Sequence, residues 1–329
     1  MKFNLLIAVG TVAIAASTAV SAQEYKWDMP NTFGRTSSDG VADVLFGELV
    51  KEKTGGRIEI THHFDGSLGY RGADILSVVE DGAAPIARHA TSYYGGSDPV
   101  FLVSTLPFLI KKPADVQTMH EVSLPYIKDA FLAFNQVVVS AGLFPPSGLW
   151  SREPITTLAD LQGVKLRAFD LNSLETFSAS GAAAINMNWG DVIPGLSTGV
   201  IDAVVTSADL GASSGLNDYT PNFLEINWAV PMSYVTVNKD VWDALPADLQ
   251  AAVMEAGEET TARTIARLQT QVADNYTTLR DRGATVSETP GDDLMASLRA
   301  SADPVIQRWR TASGDRAKVL DEYLAASGN

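Results

Sequence analysis

From Pro246 to Arg282 the chain carries no further proline and a single glycine, Gly257. Ile265, Leu268, Val272, Tyr276 and Leu279 recur there at spacings of three and four, the repeat of one helical face. Gly283 marks the stop. At 1.5 Å per residue such a helix is about 50 Å long. One ordinary domain is too narrow for it, so the sequence predicts a helix lying across two.

The remaining chain alternates between strand and helix patterns. Tyr25–Asn31 reads as a strand, and Val41, Val44, Leu45 and Leu49 as one face of a helix behind the capping candidates Ser38 and Asp39. Arg57–Phe64 alternates as a second strand, Gly66–Asp81 contains a helix, and Ala84–His89 reads as a third strand. This βαβαβ opening predicts an α/β domain with a mainly parallel sheet. Val137–Leu143 is a strand that runs into the stiff Pro145-Pro146 pair, after which a second set begins. It comprises strands at Val164–Phe169, Ala184–Met187 and Asp202–Thr206, with helices around Leu174–Ser180 and Asp191–Thr198. The chain returns through the β-rich run Phe223–Val237, and a short strand (Gly283–Glu288) and a helix (Asp292–Ala312) follow the long helix. Two α/β units joined by more than one crossing strand make a hinged clamp. The expected division is 23–144 with about 233–272, and 145–232 with about 273–329.

Residues 1–22 read as an export signal. Lys2 gives a positive start, Leu5 to Ala16 an apolar run, and Val20-Ser21-Ala22 a small-residue cleavage site. No later segment is apolar enough to cross a membrane. There is no cysteine, so a hydrophobic core rather than a disulfide scaffold must hold an exported chain together. The formal charge of −15 argues against nucleic acid as a partner, which calls for a basic face.

Against that negative field, Arg167 stands out. Val164, Leu166 and Ala168 alternate with Lys165, Arg167 and Phe169, so the arginine sits on a short, otherwise apolar strand. A buried guanidinium needs an anionic partner, and its planar fork fits a carboxylate through two parallel hydrogen bonds. That partner is either a protein side chain or a ligand.

Enzymatic readings find little support. Gly211-Ala212-Ser213-Ser214-Gly215 matches the G-x-S-x-G nucleophile pattern, but a hydrolase of that type places its histidine downstream of the serine. His62, His63, His89 and His120 all lie upstream, and a Gly/Ser loop is the expected structure there. His62 and His63 are adjacent on a strand and point to opposite faces, so no metal site is expected, and no phosphate-binding glycine loop suggests a cofactor. Trp150, Trp189, Trp228, Tyr93 and Tyr94 fall at junctions between loops and elements, where pockets form.

In combination these motifs resemble the substrate-binding proteins of tripartite ATP-independent periplasmic (TRAP) transporters. The resemblance rests on Gly66-Ser67-Leu68-Gly69, the Pro154…Asp160-Leu161-Gln162-Gly163-Val164-Lys165-Leu166-Arg167 run, Met187 with Trp189, and Leu196-Ser197-Thr198-Gly199-Val200-Ile201-Asp202. Asn238…Trp242…Leu245-Pro246, leading into the long helix, completes the set. It implies a periplasmic two-domain clamp that captures an organic acid and hands it to a membrane permease. It also implies that Arg167 pairs with the ligand carboxylate and that Trp189 lines the pocket. Two departures narrow the ligand. Ala203-Val204-Val205-Thr206-Ser207 stands where many members carry Gly-Gln-Glu-Asn-Pro, so the Thr206 or Ser207 hydroxyl replaces an amide. Ser147 stands where some members carry a second arginine, which favours a smaller or more apolar anion. Beside Arg167, Trp189 and Thr206, the expected contacts are Trp150, Ser207 and Tyr94, then Asp209, Asn188, Tyr70, Arg71, Phe169 and Asn172. A secreted hydrolase using Ser213 and an ABC-type binding protein are the alternatives.

Overall fold

The computed structural model describes residues 24–328, so the export signal read from residues 1–22 lies outside the described residues. The chain opens with β1 (Tyr25–Pro30), α1 (Ser38–Lys53), β2 (Ile58–His63), α2 (Asp74–Glu80) and β3 (Ile86–Ala90). Two 3-10 turns lead to α3 (Pro113–Leu132) and β4 (Gln136–Leu143). Then come β5 (Ser147–Ser151), β6 (Lys165–Ala168), α4 (Leu171–Ala179), β7 (Ala183–Asn186) and α5 (Val192–Thr198). They are followed by β8 (Ala203–Ser207), α6 (Ala208–Ser213), β9 (Asn222–Leu224), β10 (Met232–Asn238) and α7 (Lys239–Asp243). The last elements are α8 (Ala247–Asp281), β11 (Thr285–Ser287), α9 (Asp292–Ser313) and α10 (Lys318–Ser327).

The strands form two groups. In the first, β1 pairs with β2 in parallel, and a separate sheet runs in the order β3-β10-β4 with both pairings antiparallel. The second is a six-stranded sheet in the order β11-β9-β5-β8-β6-β7, parallel across β8-β6-β7. The mainly parallel sheet expected of the first group is therefore corrected. β10 returns from the second group and inserts between β3 and β4, so each pairs with a strand distant in sequence rather than with its βαβ neighbour. What qualifies β10 is that it is buried along its whole length, with Val235 and Val237 in the core beside Val139 and Ile86.

The long helix is present as α8. Its first part packs on β4 and α1 and its later part on α6 and β11, so it touches both strand groups. The closest approach is at Gly257, where a Cβ would fall 1.7 Å from the Val139 carbonyl oxygen. Thr261 seals the same contact by accepting the Ala141 N–H at 2.9 Å. The chain also crosses between the groups at residues 144–146 and 225–231. There the Phe144 N–H donates to the Pro231 carbonyl at 3.0 Å and the Trp228 N–H to the Ser147 carbonyl at 2.9 Å. α9 packs along α4, and α10 reaches back onto α3. Among the described residues no helix is long and apolar enough to cross a membrane.

The first group holds a buried ionic cluster. Arg88 is paired with Asp43, Ser233 donates to Asp39 at 2.6 Å, and Asn31 donates to Asp43 at 2.7 Å. Burial pushes the Asp39 carboxyl up to about 6, against the pull of Arg88. A raised carboxyl pKa means that the folded protein binds this proton more tightly than the unfolded chain. The stabilisation is complete below the ordinary value near 4 and is lost as pH rises through about 6. Asp39→Asn is thus expected to gain stability relative to the parent protein between pH 5 and pH 7.5. Urea midpoints at the two pH values check this, and a constant difference would contradict it.

Candidate functional site

The carboxyl ends of the parallel strands β6, β7 and β8 point at the crossing segments, the position where open α/β sheets form ligand crevices. A small cavity of about 30 Å³ lies there. Arg167, Phe169, Trp189, Thr206, Ser207 and Leu210 line it from the second group. Phe33, Ala90, Ser92 and Tyr93 line it from the first, and Phe144, Ser147 and Pro231 from the crossings. No Asp, Glu or Lys is part of the lining.

Arg167 is 2 % exposed. Its Nε donates to the Met187 carbonyl at 2.9 Å and its Nη1 to the Val205 carbonyl at 3.3 Å, so the ends of β7 and β8 aim the guanidinium. The charge lies 5.4 Å from the Trp189 ring centroid and 5.9 Å from that of Phe169. Among the described residues no carboxylate forms an ion pair with it. Burial lowers its pKa, and the neighbouring Tyr93 and Asp170 act in the opposite sense. The Asp170 carboxylate is turned to the start of α4, where it accepts the Ser173 N–H at 2.8 Å. A buried cation with no paired carboxylate, eased by the field of Asp170 and by dipoles and ring faces, can still take an anion.

The hydroxyl side of the cavity is built from strand ends. Thr206 and Ser207 close β8, and Ser207 opposes Ser147 in the β8–β5 register. Ser207 Oγ accepts the Leu210 N–H at 3.1 Å as the cap of α6, which leaves its own proton to donate. The Tyr93 hydroxyl faces the Arg167 guanidinium and the main chain of Trp189, and burial raises its pKa. Phe33, Phe144 and Trp189 form the apolar side, with ring centroids 5.1 Å (Phe33–Phe144) and 6.2 Å (Phe33–Trp189) apart. Trp189 is also a wall of an open outer cavity that includes Arg35 and Arg71.

Of the residues expected from sequence, Arg167, Trp189, Thr206, Ser207 and Phe169 meet at this cavity. The others do not. Trp150 lies within β5, not in a loop; its ring packs on Phe223 and covers Gly211, and its Nε1 donates to the Ser207 carbonyl at 3.2 Å. Tyr94 turns into the core of the first group and bonds His89 at 2.8 Å, while its neighbour Tyr93 takes the cavity position. Asn188 is exposed and abuts Gly72, and Tyr70 packs on Ile75 and Val79. Asn172 is held by Leu102, Thr105 and Arg308. Asp209 bonds Ser38 and Gln271 instead. Residues 208–213 form helix α6 and not the expected loop, and Ser213 at its end donates to the Leu210 carbonyl at 3.2 Å. That is no strand-to-helix elbow. Among the described residues no group of His, Asp and Glu could hold a metal ion.

Phe33, Ser92, Phe144 and Pro231 escaped the sequence reading, and Tyr93 stood among the aromatics at pocket-forming junctions without being an expected contact. Phe144 and Pro231 flank the crossings, and the Pro145-Pro146 pair was the available signal for the first of them.

The family model described as bacterial extracellular solute-binding protein, family 7, matches residues 32–312. An ectoine/5-hydroxyectoine-binding periplasmic protein of Ruegeria pomeroyi is 26% identical over 98% of this chain and 97% of its own. A solute-binding protein of Roseobacter denitrificans is 26% identical over 93% of this chain and 97% of its own. Among solved structures, an extracytoplasmic solute receptor of Bordetella pertussis binding pyroglutamic acid superposes with a TM-score of 0.87 at 26% identity. The superposition covers 91% of this chain and 99% of that one. A marine-metagenome TRAP solute-binding protein specific for pyroglutamate gives 0.87 at 25% identity over 92% and 99%.

Proposed function

The chain belongs to family 7 of the bacterial extracellular solute-binding proteins, and from that premise we propose a TRAP receptor for a small monocarboxylate with a compact, uncharged body. The observation that carries this reading is Arg167, buried at the cavity with no protein carboxylate paired to it. One arginine takes one carboxylate. With no acidic residue in the lining, an ammonium group on the ligand has no counter-charge, and with no second cation a second carboxylate has none either. The hydroxyls of Ser92, Tyr93, Ser147, Thr206 and Ser207 suit a few neutral polar atoms, and the rings suit an apolar or planar remainder. Pyroglutamate has this chemistry: one carboxylate, one lactam, and ring methylenes.

In this reading the two strand groups are hinged units, 23–144 with about 233–272 and 145–232 with about 273–329, α10 excepted in its packing. Closure around the ligand removes water and strengthens the Arg167 ion pair. The chain performs no chemistry on its ligand. It acts in the periplasm after cleavage behind Ala22 and delivers the acid to membrane permease subunits. Neither a cofactor nor nucleic acid takes part.

A thermal-shift series with pyroglutamate, orotate, succinate and glucuronate tests the proposal. Pyroglutamate is expected to give the largest shift, since a ligand at 100 times its Kd adds about 2.7 kcal/mol of stability. Shifts with succinate or glucuronate and none with pyroglutamate would discard the single-anchor, neutral-pocket reading. Tyr93→Phe is expected to weaken pyroglutamate about 10- to 100-fold by calorimetry, the worth of about one hydrogen bond to a charged group. Unchanged affinity would remove Tyr93 from the site.

A further inference from the structure

Asp209 sits on α6 one residue before Leu210, which lines the cavity, yet its carboxylate points elsewhere. Oδ2 accepts the Ser38 N–H at 2.9 Å and the Ser38 hydroxyl at 2.8 Å. Oδ1 accepts Gln271 Nε2 at 2.8 Å, and the same Nε2 donates to Ser38 Oγ at 2.7 Å. All three side chains are buried. They come from three different places: Ser38 opens α1 in the first strand group, Asp209 lies on α6 in the second, and Gln271 lies on α8, which touches both.

The carboxylate therefore meets the first free amide of a sixteen-residue helix, where unpaired N–H groups and the helix dipole favour an anion. Within its own group α1 is already capped by Ser37, whose side chain accepts the Gly40 N–H at 3.1 Å. Asp209 is thus not required to form the helix. It is a second cap, delivered from the opposite group, and it exists only while α1 and α6 are in contact. Two bonds of the set are made by a carboxylate to a backbone amide and to a hydroxyl, the charge-assisted kind that strengthens away from water.

We propose that Asp209, Ser38 and Gln271 form a latch that keeps the closed arrangement populated before a ligand arrives and slows its reopening afterwards. This rests on the hinged-receptor reading above. Asp209 is a positioning residue in this scheme: it touches no ligand and raises affinity by favouring the state that binds. A ligand bound to the closed form gains whatever population the latch supplies, and dissociation is limited by breaking it.

The chain has no cysteine, so spin labels at Ser67→Cys and Ser197→Cys, exposed positions on the two groups, report the separation without background. Asp209→Asn and Ser38→Ala are each expected to shift the ligand-free distances towards longer values. Both should weaken pyroglutamate about 10-fold, through about 10-fold faster dissociation with an unchanged association rate. A merely structural role would instead lower the ligand-free unfolding midpoint and leave the dissociation rate alone, and that result overturns the latch. So does a parent protein that is wholly open without ligand. If pyroglutamate fails to bind the parent protein, the ligand reading falls separately. The ligand-free distances then decide the latch: longer in the variants supports it, identical overturns it.

Discussion

Arg167→Gln is expected to cost at least about 30-fold in affinity for the captured acid while leaving the ligand-free protein folded. Inside the protein the guanidinium bonds two main-chain carbonyls and the Tyr93 hydroxyl, and among the described residues it makes no ion pair. Glutamine can restore one of those bonds. The net loss to the fold is then about 2 kcal/mol, the usual worth of two neutral hydrogen bonds. Removing a desolvated cation from an ordinarily unpaired position even offsets part of that loss. The ligand loses far more, because a carboxylate left in a closed cleft without its cation forfeits about 2–5 kcal/mol. Calorimetric titration gives the first quantity and urea unfolding without ligand the second. A variant that unfolds at markedly lower urea would show that Arg167 serves the fold, and the binding reading would lose its support.

How much of this was legible in the sequence depended on the range of the interaction. The long helix α8 was readable because its apolar repeat is local, and so were the boundaries of β1, β2, β6, β7 and β8. Arg167 was readable because a charge among alternating apolar residues is a local contradiction. The pairing of β3 with β10 was not, since it joins residues about 145 apart and the opening βαβαβ pattern points to a nearer partner. α3 escaped because Pro125 stands in its interior, where proline ordinarily breaks a helix. β5 escaped because Ser147-Gly148-Leu149-Trp150-Ser151 does not alternate; it is central in its sheet and buried on both faces. That misplacement carried Trp150 into the expected site. The choice of Tyr94 over Tyr93 failed for a finer reason. Both lie in one 3-10 turn, and only the packing of His89 and Phe131 decides which ring turns inward. Asp209 was expected as a ligand contact, but it bonds Ser38 and Gln271, 171 and 62 residues away, and no local pattern names those partners.

The contrast that best separates a binding arginine from a structural one is internal to this chain. Arg88 is as buried as Arg167, at 1 % against 2 % exposed, yet it has its partner: Nε donates to Asp43 Oδ1 at 2.7 Å and Nη2 lies 2.5 Å from the same oxygen. Asp43 in turn accepts from Asn31, and Gly142 leaves no room above the cluster, since a Cβ there would fall 2.5 Å from Arg88 Nη1. Asp43→Ala strands the guanidinium in a site that water cannot enter and frees the Asn31 amide as well. Such a loss of one partner from a buried pair costs about 3–5 kcal/mol. Asp39 is the nearest replacement counter-charge, but it is held by Ser233, and burial opposes its ionisation. The expected result is therefore a large fall in the ligand-free urea midpoint, with the protein that remains folded still binding its acid, because Asp43 is absent from the cavity lining. Arg167→Gln is expected to do the reverse. Equal effects of the two substitutions on stability would mean that the anion demand at Arg167 is met by the fold itself, and the site would have to be sought elsewhere.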